Sequence, residues 1–206
     1  MFALVESGSI TRIFNNPKGF VLNNIQYPAD IFYKWTKSEK EAIGIYEVET
    51  DDTNFKDEKW YVNTNESISF GSGKVTRSWG TATAKAHADS LYTNQDKTDN
   101  KIPDDKDVGD VKSEGLKTVL IKNLKSQAAA ILLDTDWYII IKADAGTAVP
   151  SSITTHRAAV RTKASEMETA ITHASETPAL ETLYTYTKQE DGSVTRPLGE
   201  LPRLES

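Results

Sequence analysis

The hydrophobic period changes once along this chain, and that change limits what it can fold into. Before residue 80 apolar residues tend to alternate with polar ones; after residue 113 they recur every three or four positions. Alternation sends successive side chains to opposite faces of a strand, whereas the longer period gathers them on one side of a helix. A chain with the two patterns in separate halves is predicted to be α+β: a small β-rich N-terminal domain followed by a C-terminal helical hairpin.

In the first half, FALVE alternates, SG reads as a turn, and SITRIF alternates again, which predicts a hairpin. Asn15-Asn16-Pro17 breaks the pattern, and GFVLNNIQYP reads as one further extended stretch ended by Pro28. A single helix is expected after Thr36. Thr36 and Glu39 have capping-box spacing, so each side chain can satisfy an orphan amide at the helix start, and Gly44 suits a left-handed terminator. IYEVE, KWYVNT, SISF and KVTRSW follow as short strands between Asn- and Gly-rich turns. TATAKAHADSLY, residues 81–92, reads as a short helix closing this domain.

Residues 93–112 hold almost no apolar side chains and many aspartates. Such a stretch buries too little surface to offset its ordering entropy, and it reads as an acidic linker or surface loop. The predicted domains are therefore 1–92, the 93–112 connection, a helical hairpin module over 113–176, and a tail over 177–206. Within the module, Leu116, Leu120, Leu124 and Ala128 step by four. The second helix carries Ile153, Arg157, Val160, Ala164, Met167, Ile171 and Ala174, a seam of about three heptads interrupted by Arg157. A hairpin with 113–133 is the simpler reading of that seam, and coiled-coil self-association the alternative. Pro150 suits the first turn of the second helix, where its missing amide costs nothing. In the tail, LETLYTY suggests a helical turn and EDGSV a hairpin.

The joint is LLDTDWYIIIKADAGTAVP, residues 132–150. Thr135 and Asp136 read as helix terminators or caps. Trp137 reads as a buried plug that fills the gap between diverging helix axes and fixes their angle. On that reading Trp137→Ala costs about 3–5 kcal/mol, as for other core aromatics.

Composition narrows function. The 206 residues carry 24 Lys and Arg against 30 Asp and Glu, a net charge of −6, which argues against broad contact with nucleic-acid phosphates. The absence of cysteine excludes disulfides, thiolate nucleophiles and Cys-ligated metals, and fits synthesis in a reducing cytoplasm. No apolar run nears the roughly 20 residues of a membrane span, and MFALVESGS lacks the basic and apolar regions of a secretion signal.

Candidate chemistry fails on spacing. His87, His156 and His173 are isolated from acids and nucleophiles, and no HExxH-type zinc spacing occurs. GSGK at 71–74 lacks the first glycine and the final hydroxyl of a phosphate loop, and reads as a β-turn. DDKDVGD at 104–110 places Gly109 where a calcium loop needs a ligand. Asn65-Glu66-Ser67 is a glycosylation sequon only for a secreted chain. Asp134 and Asp136, two apart at a helix end, diverge and suit capping better than acid–base work. No catalytic, cofactor-binding or metal-ligating residue is predicted, and the chain is expected not to be an enzyme.

The segments GLKTVLIKNLKSQAAAILLDTDWYIII and AGTAVPSSITTHRAAVRTKASEMETAI together resemble a module of tail-associated and virion structural proteins of tailed bacteriophages. There a helix carrying "A..LL..TDW" is followed by "G..VP..I..yR..vR". The matching residues are Leu132, Leu133, Thr135, Asp136, Trp137, Gly146, Val149, Pro150, Ile153, Arg157 and Arg161. His156 stands where that group usually has an aromatic, Ile141-Lys142 departs from its more common continuation, and LGELPRLES lacks its closing tryptophan. MFALVESGSI, PADIF, AIGIYEV and KVTRSWG resemble, less specifically, the small β-rich domains that precede the module. The resemblance implies a non-enzymatic virion role in tail, baseplate or tail fibre. It also implies synthesis in the host cytoplasm, and partners that are other virion proteins or further copies of the chain, without nucleic acid, membrane or cofactor. An assembly chaperone left out of the particle is the alternative, and a tail-associated hydrolase a third reading for which no spacing identifies an acid–base pair. Trp35, Trp60 and Trp79, with Trp137, are the large aromatics available as contact anchors or core.

Overall fold

The computed structural model describes residues 1–204. The chain divides into two units, Met1–Thr83 and Ala84–Ser206, so the boundary falls inside the segment assigned above to the end of the N-terminal domain. Strands occupy most of the first unit and helices most of the second, the α+β arrangement expected from the change of period.

Strands β1 (Phe2–Glu6) and β2 (Ser9–Phe14) form the hairpin expected around SG. Ser7 and Gly8 both have positive φ, at 51° and 78°, as the tight two-residue turn demands. GFVLNNIQYP is not one extended stretch. It is a second hairpin, β3 (Phe20–Leu22) and β4 (Ile25–Tyr27), turned by Asn23 and Asn24, again both at positive φ. Asparagine tolerates that backbone better than other non-glycine residues, so the turn signal lay in a dipeptide without glycine.

Helix α1 (Ile31–Lys34) leads into α2 (Lys37–Ala42). The capping box is complete: Thr36 Oγ1 accepts from the Glu39 amide at 3.3 Å, and Glu39 Oε2 accepts from the Thr36 amide at 2.8 Å. Gly44 follows at φ +82°, and a Cβ there would stand 2.6 Å from the Val5 carbonyl oxygen. After β5 (Ile45–Asp51) and β6 (Tyr61–Val62), GSGK turns β7 (Ser67–Gly71) into β8 (Lys74–Ser78), with Ser72 and Gly73 at positive φ. The main sheet has the order β2-β1-β5-β8-β7, antiparallel except for the parallel β5–β8 pair. Phe2, Leu4, Phe14, Phe20, Ile31, Phe32 and Ile45 form the core of this unit.

The two-residue strand β9 (Thr83–Ala84) lies at the boundary between the units, and β10 (Ser90–Leu91) follows. The helix expected over 81–92 does not form, and the backbone hydrogen bonds explain why. The first amides of a helix lack intrahelical partners, and here residues 86–89 supply acceptors to the start of α4 (Leu116–Leu133). Leu116 and Lys117 donate to the Ala86 and His87 carbonyls at 2.9 and 3.0 Å. The Asp89 carboxylate accepts from the Gly115 amide at 2.7 Å and the Thr118 hydroxyl at 2.9 Å, and these bonds hold its pKa below the usual carboxylate range.

Residues 93–112 are not a featureless linker. They contain α3 (Asn94–Thr98), opened by a second capping box between Thr93 and Asp96, and β11 (Val111–Ser113), which pairs with β10. Lys112 is salt-bridged to Asp96. Tyr92 donates to Asp110 and accepts from Gly109, both at 2.9 Å, which closes the excursion on itself. Composition underestimated the order because local hydrogen bonds, and not apolar burial, hold this segment.

Three more helices follow: α5 (Asp136–Ala145), α6 (Ser151–His173) and α7 (Thr177–Tyr184). Helices α4 and α6 pack antiparallel, since Lys117 reaches the Thr172 carbonyl and Lys125 pairs with Glu168, while Arg157 reaches the Leu132 carbonyl. The seam lies inside: Ile153, Arg157, Val160, Met167, Ile171 and Ala174 are buried, facing the side of α4 that buries Leu120, Leu124 and Ala128. The expected hairpin thus forms, but with a ten-residue helix where a joint was expected. Past α7, the hairpin around EDGSV is β12 (Thr187–Lys188) with β13 (Val194–Thr195). The end of LGELPRLES, Glu205 and Ser206, lies outside the described residues.

Candidate interaction site

The joint begins where α4 stops. Asp134 caps its C-terminus and Thr135 restarts the chain as the residue before α5. Thr135 is only 2% exposed, and its hydroxyl donates to the Leu132 carbonyl at 2.9 Å. Arg157 enters from α6. Its Nη1 donates to the Leu132 carbonyl at 2.7 Å and to Thr135 Oγ1 at 2.6 Å, and its Nη2 meets Asp136 Oδ1 at 2.8 Å. The guanidinium, in a residue 7% exposed, therefore ties the end of α4 and the start of α5 to α6. Its Nε–H is buried without a partner. A planar fork with several donors suits such a junction, where a lysine would offer one point charge. The residue that interrupts the heptad seam is the one that holds the joint.

Trp137 does not plug it. The residue is 63% exposed, and no residue of α5 is buried. The physical reason is rotation. Because a new helix starts at Asp136, and Asp136 faces Arg157, the next side chain is turned away by the roughly 100° step of an α-helix. Thr135 and the Arg157 guanidinium occupy the place expected for the indole. Asp136 sits at the first position of α5 and serves as the partner of Arg157, without accepting a capping bond. Of the paired carboxylates, Asp136 alone reaches the guanidinium.

The outcome is a short helix that shows its apolar residues to solvent. Ile140, 63% exposed, and Trp137 lie three apart on one face, with Ile139 exposed beside them. Leu133, 68% exposed, ends α4 next to them in sequence. Gly146 terminates α5 at φ +70°, its amide donating to the Lys142 carbonyl at 3.1 Å. Pro150 stands at the N-cap of α6, one position before the first turn expected for it, and its carbonyl accepts from the Thr154 amide at 3.1 Å. Arg161, one turn beyond Arg157, is exposed.

The other tryptophans sit in the first unit. Trp60 is buried. Trp35 is half-buried with its ring edge-on to Tyr27, and Trp79 is half-buried against Phe55 under the Arg77 guanidinium. These three are packed within the fold, and Trp137 is the exposed one. His156 is buried on α6. Among the described residues no group of three or more His, Asp or Glu is placed to hold a metal ion, and no helix is long and apolar enough to cross a membrane.

Comparison of the chain with protein families, curated proteins and solved structures finds no match.

Proposed function

We propose that this chain is a virion structural protein of a tailed bacteriophage, a tail or baseplate component whose task is to contact other virion proteins. The resemblance of residues 113–174 to the phage module supplies the biological setting, and α5 supplies the physical support. Exposed large apolar side chains gathered on one element mark contact surfaces more often than scattered ones do. Trp137 and Ile140 are gathered in this way on a helix pinned at its start by a buried arginine. A pinned aromatic is a good anchor, because little ordering entropy is lost when it docks. The reading is non-enzymatic: the helical joint works by surface.

Mass spectrometry of purified phage particles tests it. Stoichiometric peptides of this chain in the mature particle support a structural component. Peptides found only in assembly intermediates assign the same surface to a transient assembly chaperone. Turnover of host surface polysaccharide by the isolated chain, abolished by a single carboxylate substitution, would replace both readings with a hydrolase.

A further inference from the structure

A small cleft of about 300 Å³ opens between α5 and the first turns of α6. Its lining is half polar: Ile139, Ala148 and Val149 supply the apolar part, and Thr154, Lys142, Arg157 and Arg161 the polar part. Asp136 neutralises Arg157. The Lys142 and Arg161 side chains have no ionic partner among the described residues. Lys142 and Arg161 thus bring two unpaired cations to one cleft on a chain of net charge −6. Arg157 also lines the cleft, with its guanidinium already engaged by Leu132, Thr135 and Asp136. Such a pocket favours a carboxylate carried next to an aliphatic group.

The chain presents such a ligand elsewhere on its surface. In DDKDVGD, the exposed Asp104, Asp105, Asp107 and Asp110 outweigh the exposed Lys106, and Val108 is exposed among them. The segment is held out in a fixed shape: Asp107 donates its amide to Asp110 Oδ2 at 2.8 Å, and Gly109 is bonded to Tyr92. We propose that the Lys142–Arg161 cleft of one copy receives the acidic 104–110 segment of a second copy. The charges are complementary, and in each surface an apolar group lies between the charged ones. The contact joins two different patches, so it closes a two-fold pair where each copy's segment fills the other's cleft and builds rings or filaments where it does not. It rests on the structural reading above in that it names one partner, the chain itself. Exposed ion pairs each add little and are screened by salt, so the association is weak, growing with protein concentration and falling with ionic strength.

Sedimentation velocity of the full chain tests it, over a concentration series at low and high salt. The wild type is expected to self-associate reversibly at low salt. Lys142→Glu/Arg161→Glu and, separately, Asp105→Lys/Asp107→Lys are each expected to sediment as monomers. All four positions are exposed, and circular dichroism checks that both variants keep the wild-type fold. An equimolar mixture of the two variants is expected to associate again, because the reversed surfaces are once more complementary. A wild type that stays monomeric throughout, association unchanged by either reversal, or a mixture that fails to recover overturns the proposal. Each of those results concerns the cleft and not the Trp137–Ile140 face of α5, so the structural role still stands or falls on the composition of the particle.

Discussion

Removing the guanidinium of Arg157 would take three bonds from the joint at once. Arg157→Met keeps much of the volume but strips Thr135 Oγ1 and Asp136 of their cationic partner. Hydrogen bonds to charged groups carry about 1.5–3 kcal/mol. We expect urea unfolding to show a loss of about 2 kcal/mol, with Arg157→Lys recovering little of it because an ammonium cannot fork to three acceptors. Asp136→Asn should cost under ~1 kcal/mol, since its half-exposed carboxylate remains close to water. Trp137→Ala should change stability by no more than about 0.5 kcal/mol, the usual range for a surface position. A loss of 3–5 kcal/mol would restore the buried plug that the sequence suggested. The sequence could not separate the two arrangements. Thr, Asp and Trp are adjacent at 135–137, and a shift of one residue in where α5 begins exchanges the inward and outward sides. The arginine gave a signal, as a charge in an otherwise apolar seam, but spacing alone did not say what it would meet.

Among elements, those with a local mechanism were legible. The Thr36 capping box, the Ser7-Gly8 turn and the buried side of α6 all follow from residue types at fixed offsets. Thr36→Ala should cost about 1 kcal/mol in thermal or urea unfolding. Gly44→Ala should cost more than that, because the residue sits at φ +82° and its new Cβ would strike the Val5 carbonyl. Elements that depend on distant partners were not legible. Residues 81–92 have helical composition, yet their carbonyls serve α4, some thirty positions away. The 93–112 excursion looked too polar to order, although Thr93 and Asp96 repeat the spacing that was recognised at Thr36 and Glu39. Lys112 and the Thr93 bonds hold the Asp96 carboxyl far below the usual carboxylate range. The sign follows from that depression. Ionised Asp96 supports this segment fully above the unfolded carboxylate range near pH 4, and the support is lost as pH falls below it toward the depressed value. Protection of the Gly109 and Tyr92 amides, taken relative to the intrinsic exchange rate at each pH, should therefore fall in acid, and Asp96→Asn should lower it at neutral pH. Unchanged protection in that variant would mean that the β10–β11 pairing alone orders the segment.

At the scale of the molecule, the two units use different means of cohesion. The first is held by an aromatic cluster under a mixed sheet, the second by an antiparallel helix pair with a polar joint. The α+β class was legible because each unit keeps one period throughout. The boundary at Thr83 was not, because hydrogen bonding and not composition assigns residues 84–92 to the helices. The proposed role concentrates on α5, where apolar side chains face solvent on a pinned helix. A photoreactive amino acid at position 137, carried through phage assembly and activated in purified particles, reads that surface directly. The expected result is a specific cross-link from residue 137 to a second virion polypeptide, with the same probe at exposed Asp191 giving none. Particles that contain the chain but yield no cross-link from residue 137, or equal yields from both positions, would contradict a docking role for α5.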